Sequence, residues 1–79
     1  MAQCPGNSIS VTVKSGDTLY IISESFYGQG HGNDWQNGNC VRPTDTPYPA
    51  FFNSTYLLNP EIYAGEILCF YPDIRRPPQ

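Results

Sequence analysis

A change of hydrophobic period near the start of the chain is the feature that most constrains its fold. Apolar and polar side chains alternate over 8–14, which is the pattern of a strand with one buried face. Shortly afterwards Leu19, Ile22 and Phe26 follow at i, i+3 and i+7, the spacing of one helical stripe. We therefore expect a strand over 8–14 and, directly after it, a helix over 18–27.

Short-range signals mark both ends of this helix. Gly16 breaks the strand, and Asp17 is expected to cap the helix by accepting hydrogen bonds from the free amides of its first turn. Gly28 stands where a left-handed residue commonly ends a helix. Beyond it we expect a long loop over 29–49, because this segment is rich in residues that interrupt regular structure. They are Gly30, Gly32, Asn33, Asn37, Gly38, Asn39, Pro43, Pro47 and Pro49.

The rest of the chain predicts a second helix and a second strand. Aromatic and aliphatic residues of 50–58 can share one face of a short helix, which Asn59 and Pro60 would end. A turn at 62–65 leads into the β-branched and aromatic run 66–71, which is typical of a strand. The order strand, helix, helix, strand predicts an α+β domain with a two-stranded antiparallel sheet and both helices packed on one face.

Size and charge limit the possible functions. A chain of 79 residues can close one small core, so we expect a single domain over 1–79 with its core at 8–72 and flexible ends at 1–7 and 73–79. The net charge of −3 has the wrong sign for binding phosphates or anionic lipids. We therefore expect neither nucleic acid nor a membrane surface as a partner. The first ten residues also lack the basic start and apolar run of a signal peptide.

The three cysteines allow a disulfide bond, and the question is which two of them form it. Cys4, Cys40 and Cys69 allow three different single disulfides, each of which leaves one thiol over. A bridge would contribute about 3 to 4 kcal/mol, comparable with the net stability of a small domain. Spacing alone leaves the three pairings open.

Two segments of the chain resemble the two halves of a LysM domain, the small βααβ carbohydrate-binding module. The first is VTVKSGDTLY at 11–20 with FYG at 26–28, and the second is NPEIYAGEIL at 59–68 with YP at 71–72. Together they cover roughly half of the chain, and the stretch between them is longer than is usual in the family. The aromatic residue that commonly opens helix two is therefore either Trp35 or Phe52, and we favour Phe52.

The resemblance implies a non-catalytic module that binds chains of N-acetylglucosamine and needs no cofactor. In the family, the glycan lies between the loop after the first strand and the loop before the last strand. Such a groove suits a neutral, hydroxyl-rich ligand, because it offers backbone hydrogen-bonding groups and apolar surface for sugar faces. In this chain the two loops predict ten carbohydrate-binding residues: Gly16, Asp17, Thr18, Leu19, Tyr20, Asn59, Pro60, Glu61, Ile62 and Tyr63.

Several of these residues also have a purely structural interpretation. Asp17 can act only as a helix cap, and Leu19 only as a core residue. Asp17 with Glu61 could also be the carboxylate pair of a glycoside hydrolase, which we disfavour because so short a chain has little mass to desolvate a general acid. A zinc site at His31, Asp34 and Cys40 is disfavoured as well, because a glycine-rich loop with one histidine is usually solvated chain.

The cysteines resemble those of fungal and other eukaryotic LysM modules, which favours chitin over peptidoglycan and a secreted or cell-wall-associated module of a larger protein. Because Cys4 leads into the first strand beside the end of the last, we favour a Cys4–Cys69 bridge. A bridge from Cys40 to Cys69 would instead staple the long loop to the core. The alternative function is a structural or protein-interaction domain that keeps the fold without binding sugar, with Trp35 and Tyr48 on its contact surface.

Overall fold

The computed structural model describes residues 4–43 and 55–74. The strands form one antiparallel sheet in the order β1-β3-β2, so the last strand lies in the middle. The α+β class is confirmed, but the sheet has three strands where we predicted two. Along the chain the elements are β1 (Ile9–Thr12), α1 (Leu19–Tyr27), β2 (Cys40–Val41), α2 (Thr55–Leu58) and β3 (Ile67–Phe70).

The first and last strands pair with each other and bring the two ends of the domain together. Thr12 at the end of β1 lies opposite Ile67 at the start of β3. The pairing continues beyond both strands: the Val13 amide donates to the Glu66 carbonyl at 2.9 Å, and the Gly65 amide donates to the Val13 carbonyl at 2.8 Å. The chain that leaves β1 therefore lies beside the turn that enters β3.

The third strand comes from the segment 29–49, which we predicted as a loop. Its turn-forming residues do hold 29–39 in turns, but Cys40 and Val41 are extended and pair with β3 on the side away from β1. Both residues are completely buried, and a buried backbone needs hydrogen-bond partners, which the middle strand supplies. Residues 44–49 of the predicted loop lie outside the described part of the chain.

Helix α1 starts at a different cap from the one we predicted. Thr18 is the N-cap, with φ −124°, and its Oγ1 accepts a hydrogen bond from the Ile21 amide at 3.1 Å. Asp17 instead accepts from the Lys14 amide at 3.0 Å, which closes the turn between β1 and α1. Either of two adjacent residues of this kind can serve as the N-cap of a helix. Here the Asp17 carboxylate already accepts a hydrogen bond in the preceding turn.

Both helices end at the residues that the sequence predicts. Gly28 has φ 111°, which favours glycine, and its amide donates to the Glu24 carbonyl at 2.8 Å. Helix α2 ends directly before Asn59 and Pro60. The predicted start of helix two, at 50–54, lies outside the described residues, as does Phe52. Within the described part of the chain, neither helix has the length and apolar character that crossing a membrane requires.

The core lies on one face of the sheet. Its buried cluster consists of Val13, Leu19, Ile22, Cys40, Tyr56, Leu68 and Phe70. Leu19 and Ile22 come from α1 and Tyr56 from α2, so both helices contribute to the same core, as predicted. Ile9 differs from the prediction: the alternation placed it on the buried face, but it is 47% exposed. Ile9 begins β1 and is not part of the core cluster, so the core does not extend over this end of the strand.

The disulfide lies on the opposite face of the sheet. Cys4 and Cys69, 65 residues apart, are bonded to each other, which is the pairing that we favoured, and Cys40 is buried outside the bridge. The bridge and a turn after Cys4 hold residues 4–7, so this part of the predicted flexible end is tied to the sheet. The small cluster around the bridge contains Cys4, Val41, Cys69 and Tyr71.

Candidate functional site

The two loops that carry the ten predicted residues lie at the same end of the β1–β3 ladder. The first loop, 16–20, follows the Val13 pairing described above, and the second loop, 59–63, precedes it. Each loop also sends one aliphatic side chain to the core, Leu19 from the first and Ile62 from the second. The structure therefore places the two loops on a common support.

The start of the first loop presents polar groups to solvent. Gly16 has φ 89°, and nothing lies within 4 Å of where a Cβ would be, so its backbone is open to an approaching ligand. Asp17 and Thr18 each use one side-chain oxygen to shape the loop, through the bonds to Lys14 and Ile21. The second carboxylate oxygen and the hydroxyl proton have no partner among the described residues, so both are available to a ligand.

The end of the first loop is divided between core and surface. Leu19 is 4% exposed and packs in the core, which agrees with its structural interpretation. Tyr20 is 49% exposed, and its ring lies against buried Gly32 so closely that a Cβ there would clash with it. A glycine at 32 therefore lets the turns after α1 support the Tyr20 ring. Sequence reasoning missed this contact, because Gly32 resembles any other glycine of a turn-rich segment.

The second loop exposes most of its side chains. Asn59, Pro60 and Glu61 are exposed, and Ile62 is half-buried against the core. Tyr63 is 66% exposed, and its hydroxyl donates to Glu61 Oε2 at 2.8 Å. This hydrogen bond and the charge of Glu61 raise the pKa of Tyr63 above its usual value. The loop thus offers an aromatic ring whose hydroxyl is already fixed.

A polar network beside the second loop contains residues that the sequence analysis did not single out. Glu66 Oε2 accepts hydrogen bonds from Arg42 Nη1 at 2.7 Å and from the Tyr56 hydroxyl at 2.8 Å, while its Oε1 accepts from the Tyr63 amide at 3.0 Å. The Arg42 guanidinium also lies 4.1 Å from the centre of the Tyr56 ring. Burial, and then the bond to Glu66, raise the pKa of Tyr56. No sequence spacing connects these residues, because only the fold brings them together.

The disfavoured zinc ligands have other roles. His31 Nδ1 lies 2.5 Å from Asp34 Oδ2, and the His31 carbonyl accepts from Ser23 Oγ at 2.7 Å. Cys40 belongs to the core cluster. Among residues 4–43 and 55–74, no three side chains of metal-binding type form a group. The histidine and aspartate thus help to hold the turns of 29–39 against α1.

One cavity lies next to the predicted loops but outside them. It measures about 310 Å³ and lies between β1 and α1. Of the ten predicted site residues only Asp17 lines it, so the pocket lies largely outside the two predicted loops. Its lining residues are Val11, Thr12, Lys14, Asp17, Ile21, Ile22, Ser25 and Phe26.

Comparison with known protein families gives one match. Residues 11–37, about a third of the chain, match the family model of the LysM domain. The matched stretch runs from β1 through α1 into the turns that follow, and it includes the first loop. No curated protein and no solved structure matches the chain.

Proposed function

We propose that the chain is a LysM domain, the family whose model matches residues 11–37, and that it binds N-acetylglucosamine oligomers as a non-catalytic module. The proposed site is the surface formed by loops 16–20 and 59–63. The observation that carries this proposal is the pairing of Val13 with the turn at 65–66, because it sets the two loops side by side. A binding surface built from two distant parts of the sequence requires such a link.

The chemistry of the two loops suits a neutral sugar. The open backbone at Gly16 and the available polar atoms of Asp17 and Thr18 can bond hydroxyl and acetamide groups. The exposed rings of Tyr20 and Tyr63 offer flat apolar surfaces for pyranose faces. None of these contacts requires a charge on the ligand.

We favour chitin fragments over peptidoglycan as the ligand. The two charged residues among the ten, Asp17 and Glu61, are both acidic. The peptide stems of peptidoglycan carry carboxylates, which like charges repel, whereas chitin is uncharged. The Cys4–Cys69 disulfide supports the same choice, because bridges of this kind persist in secreted proteins and resemble those of eukaryotic LysM modules.

Calorimetric titration tests this proposal. We expect affinity for N-acetylglucosamine oligomers to rise with chain length until the ligand fills the surface, and to change little between low and high salt. Peptidoglycan fragments of equal glycan length should bind more weakly. Equal or tighter binding of peptidoglycan would reverse the preference for chitin, and absence of heat with either ligand would contradict the proposed function.

The second candidate, a protein-interaction domain that has kept the fold, is favoured by one observation. The cavity between β1 and α1 is lined in part by the apolar side chains of Val11, Ile21 and Phe26, and it shares only Asp17 with the proposed sugar surface. Trp35, which we predicted on the contact surface of such a domain, is half-buried against the core, and Tyr48 lies outside the described residues. A melting temperature that is unchanged by chitin and peptidoglycan oligomers would favour this candidate.

A further inference from the structure

We propose that Arg42 is a positioning residue that holds segment 59–66, the second loop together with the turn that follows it, in the conformation that binds the glycan. The inference rests on the proposed function and extends it to a residue outside the loops. Arg42 follows β2, the strand that the sequence did not predict, and it lies outside residues 11–37 that match the LysM family model. The extra strand thereby acquires a role in the binding surface.

The guanidinium of Arg42 spans the two ends of this segment. Its Nη1 donates to Glu66 Oε2 at 2.7 Å, and its Nη2 donates to the Asn59 carbonyl at 3.4 Å. Asn59 opens the segment and Glu66 closes it, so one side chain connects both ends. A planar guanidinium directs two separate nitrogens at the two acceptors, whereas the donors of a lysine ammonium all lie on one nitrogen.

The same carboxylate also fixes the middle of the segment. Glu66 Oε1 accepts from the Tyr63 amide at 3.0 Å, so the group that Arg42 binds holds the backbone of the most exposed aromatic residue of the proposed site. Tyr56 completes the support, because its hydroxyl donates to Glu66 Oε2 at 2.8 Å and its ring lies under the guanidinium. Arg42 thus acts on the ligand through the loop and need not touch it.

Partial burial makes this ion pair stronger than an exposed one. The side chains of Arg42 and Glu66 are 28% and 21% exposed, and charge-assisted hydrogen bonds away from water exceed surface pairs in strength. A loop that is ordered before the glycan arrives loses less conformational entropy on binding. Without Arg42 the binding side chains remain, but the loop has to be ordered by the ligand.

Three variants test the proposal in calorimetric titrations with a chitin oligomer. Arg42→Ala should weaken binding about tenfold, through the added cost of ordering the loop. The affinity of Arg42→Lys should lie between that of the wild type and that of Arg42→Ala, because lysine keeps the charge but cannot span both ends of the segment. Lys14→Ala is the matched control: it also removes one positive charge, at an exposed position outside both loops and the network, and should bind within twofold of the wild type.

Amide hydrogen exchange separates positioning from general destabilisation. In Arg42→Ala the Tyr63 amide, which donates to Glu66, should exchange faster, while the Val13 amide in the β1–β3 ladder keeps its rate. Equal acceleration of both amides would overturn the proposal, and so would wild-type affinity in Arg42→Ala. A wild-type chain that binds no oligomer would overturn the proposed function, and the glycan role of Arg42 with it. Loss of affinity together with local loosening at Tyr63 would support both.

Discussion

At the scale of single residues, exposure separates the binding role of a side chain from its structural role. Tyr63 is 66% exposed and makes no core contact, whereas Leu19 is 4% exposed and belongs to the core. Sequence resemblance placed both in the site and left a core role open for Leu19, because it reports positions in a loop and not the direction of a side chain. The Leu19 side chain is therefore not accessible to a ligand, and Tyr63 is the better residue for testing the proposed site.

Removal of the Tyr63 ring should reduce sugar binding without unfolding the chain. Tyr63→Ala is expected to cost about 1 to 3 kcal/mol of binding free energy, since it removes the stacking surface. Tyr63→Phe keeps the ring and removes only the bond to Glu61, so it should bind nearly as the wild type does. Calorimetry measures the affinities, and thermal melting confirms the fold. If Tyr63→Ala bound oligomers normally, the proposed surface would be wrong.

The raised pKa of Tyr56 predicts a loss of stability at alkaline pH. An unfolded tyrosine releases its proton near pH 10, whereas burial and the bond to Glu66 keep the folded phenol protonated well above that pH. Above about pH 10 the unfolded state therefore binds fewer protons than the folded state, and this group lowers the free energy of unfolding by about 1.4 kcal/mol per pH unit. Below that pH the contribution of Tyr56 to the free energy of unfolding does not change with pH.

Urea titrations between pH 8 and pH 11 measure this effect, with the pH range set by the tyrosine pKa of about 10. Tyr56→Phe is less stable at neutral pH because it loses the bond to Glu66, but its stability should fall less steeply above pH 10. Parallel pH profiles for the two chains would show that Tyr56 does not cause the alkaline loss.

At the scale of elements, the sequence predicted those with a clear hydrophobic period or a clear boundary. β1 and α1 follow from alternation and from a helical stripe, and β3 follows from a β-branched and aromatic run. β2 has two residues, too few to show a period, and it exists because β3 offers a free edge to a buried segment. For the same reason the Arg42 network could not be predicted: it depends on where β2 pairs.

The N-cap of α1 gives a prediction at this scale. Thr18→Ala should lower the free energy of unfolding by about 1 kcal/mol, because the Ile21 amide loses its acceptor. Thr18→Ser keeps an oxygen at the same place and should retain most of the stability. Chemical denaturation of four chains, the wild type, Thr18→Ala, Thr18→Ser and Asp17→Ala, measures these stabilities. If Thr18→Ala were as stable as the wild type and Asp17→Ala were clearly less stable, Asp17 and not Thr18 would be the stabilising N-cap.

At the scale of the whole molecule, the two termini of the domain are fastened to the same sheet. β1 and β3 pair along their length, and the Cys4–Cys69 bridge joins the segment before β1 to the middle strand. The core occupies one face and the bridge the other, so each face is stabilised by a different means. The proposed sugar surface lies at one end of this sheet, which the core stabilises on one face and the disulfide on the other.

Loss of the bridge should therefore destabilise the whole domain. Closing a loop across 65 residues lowers the entropy of the unfolded chain, so the paired change of Cys4→Ala and Cys69→Ala should cost about 4 kcal/mol. Urea unfolding with and without a reductant measures this. Reductant should weaken the wild type to the level of the double variant and leave that variant unchanged. Because Cys40 is outside the bridge, reductant should weaken Cys40→Ala as much as it weakens the wild type. A wild type indifferent to reductant would contradict a stabilising bridge.

The most direct test of the central claim is an NMR titration of the labelled chain with chitin oligomers of increasing length. We expect shifts concentrated in residues 16–20 and 59–63, with affinity that rises with oligomer length. Shifts centred on Val11, Ile21 and Phe26 would move binding to the cavity between β1 and α1. No response at millimolar sugar would contradict the claim that this chain binds chitin through the two loops.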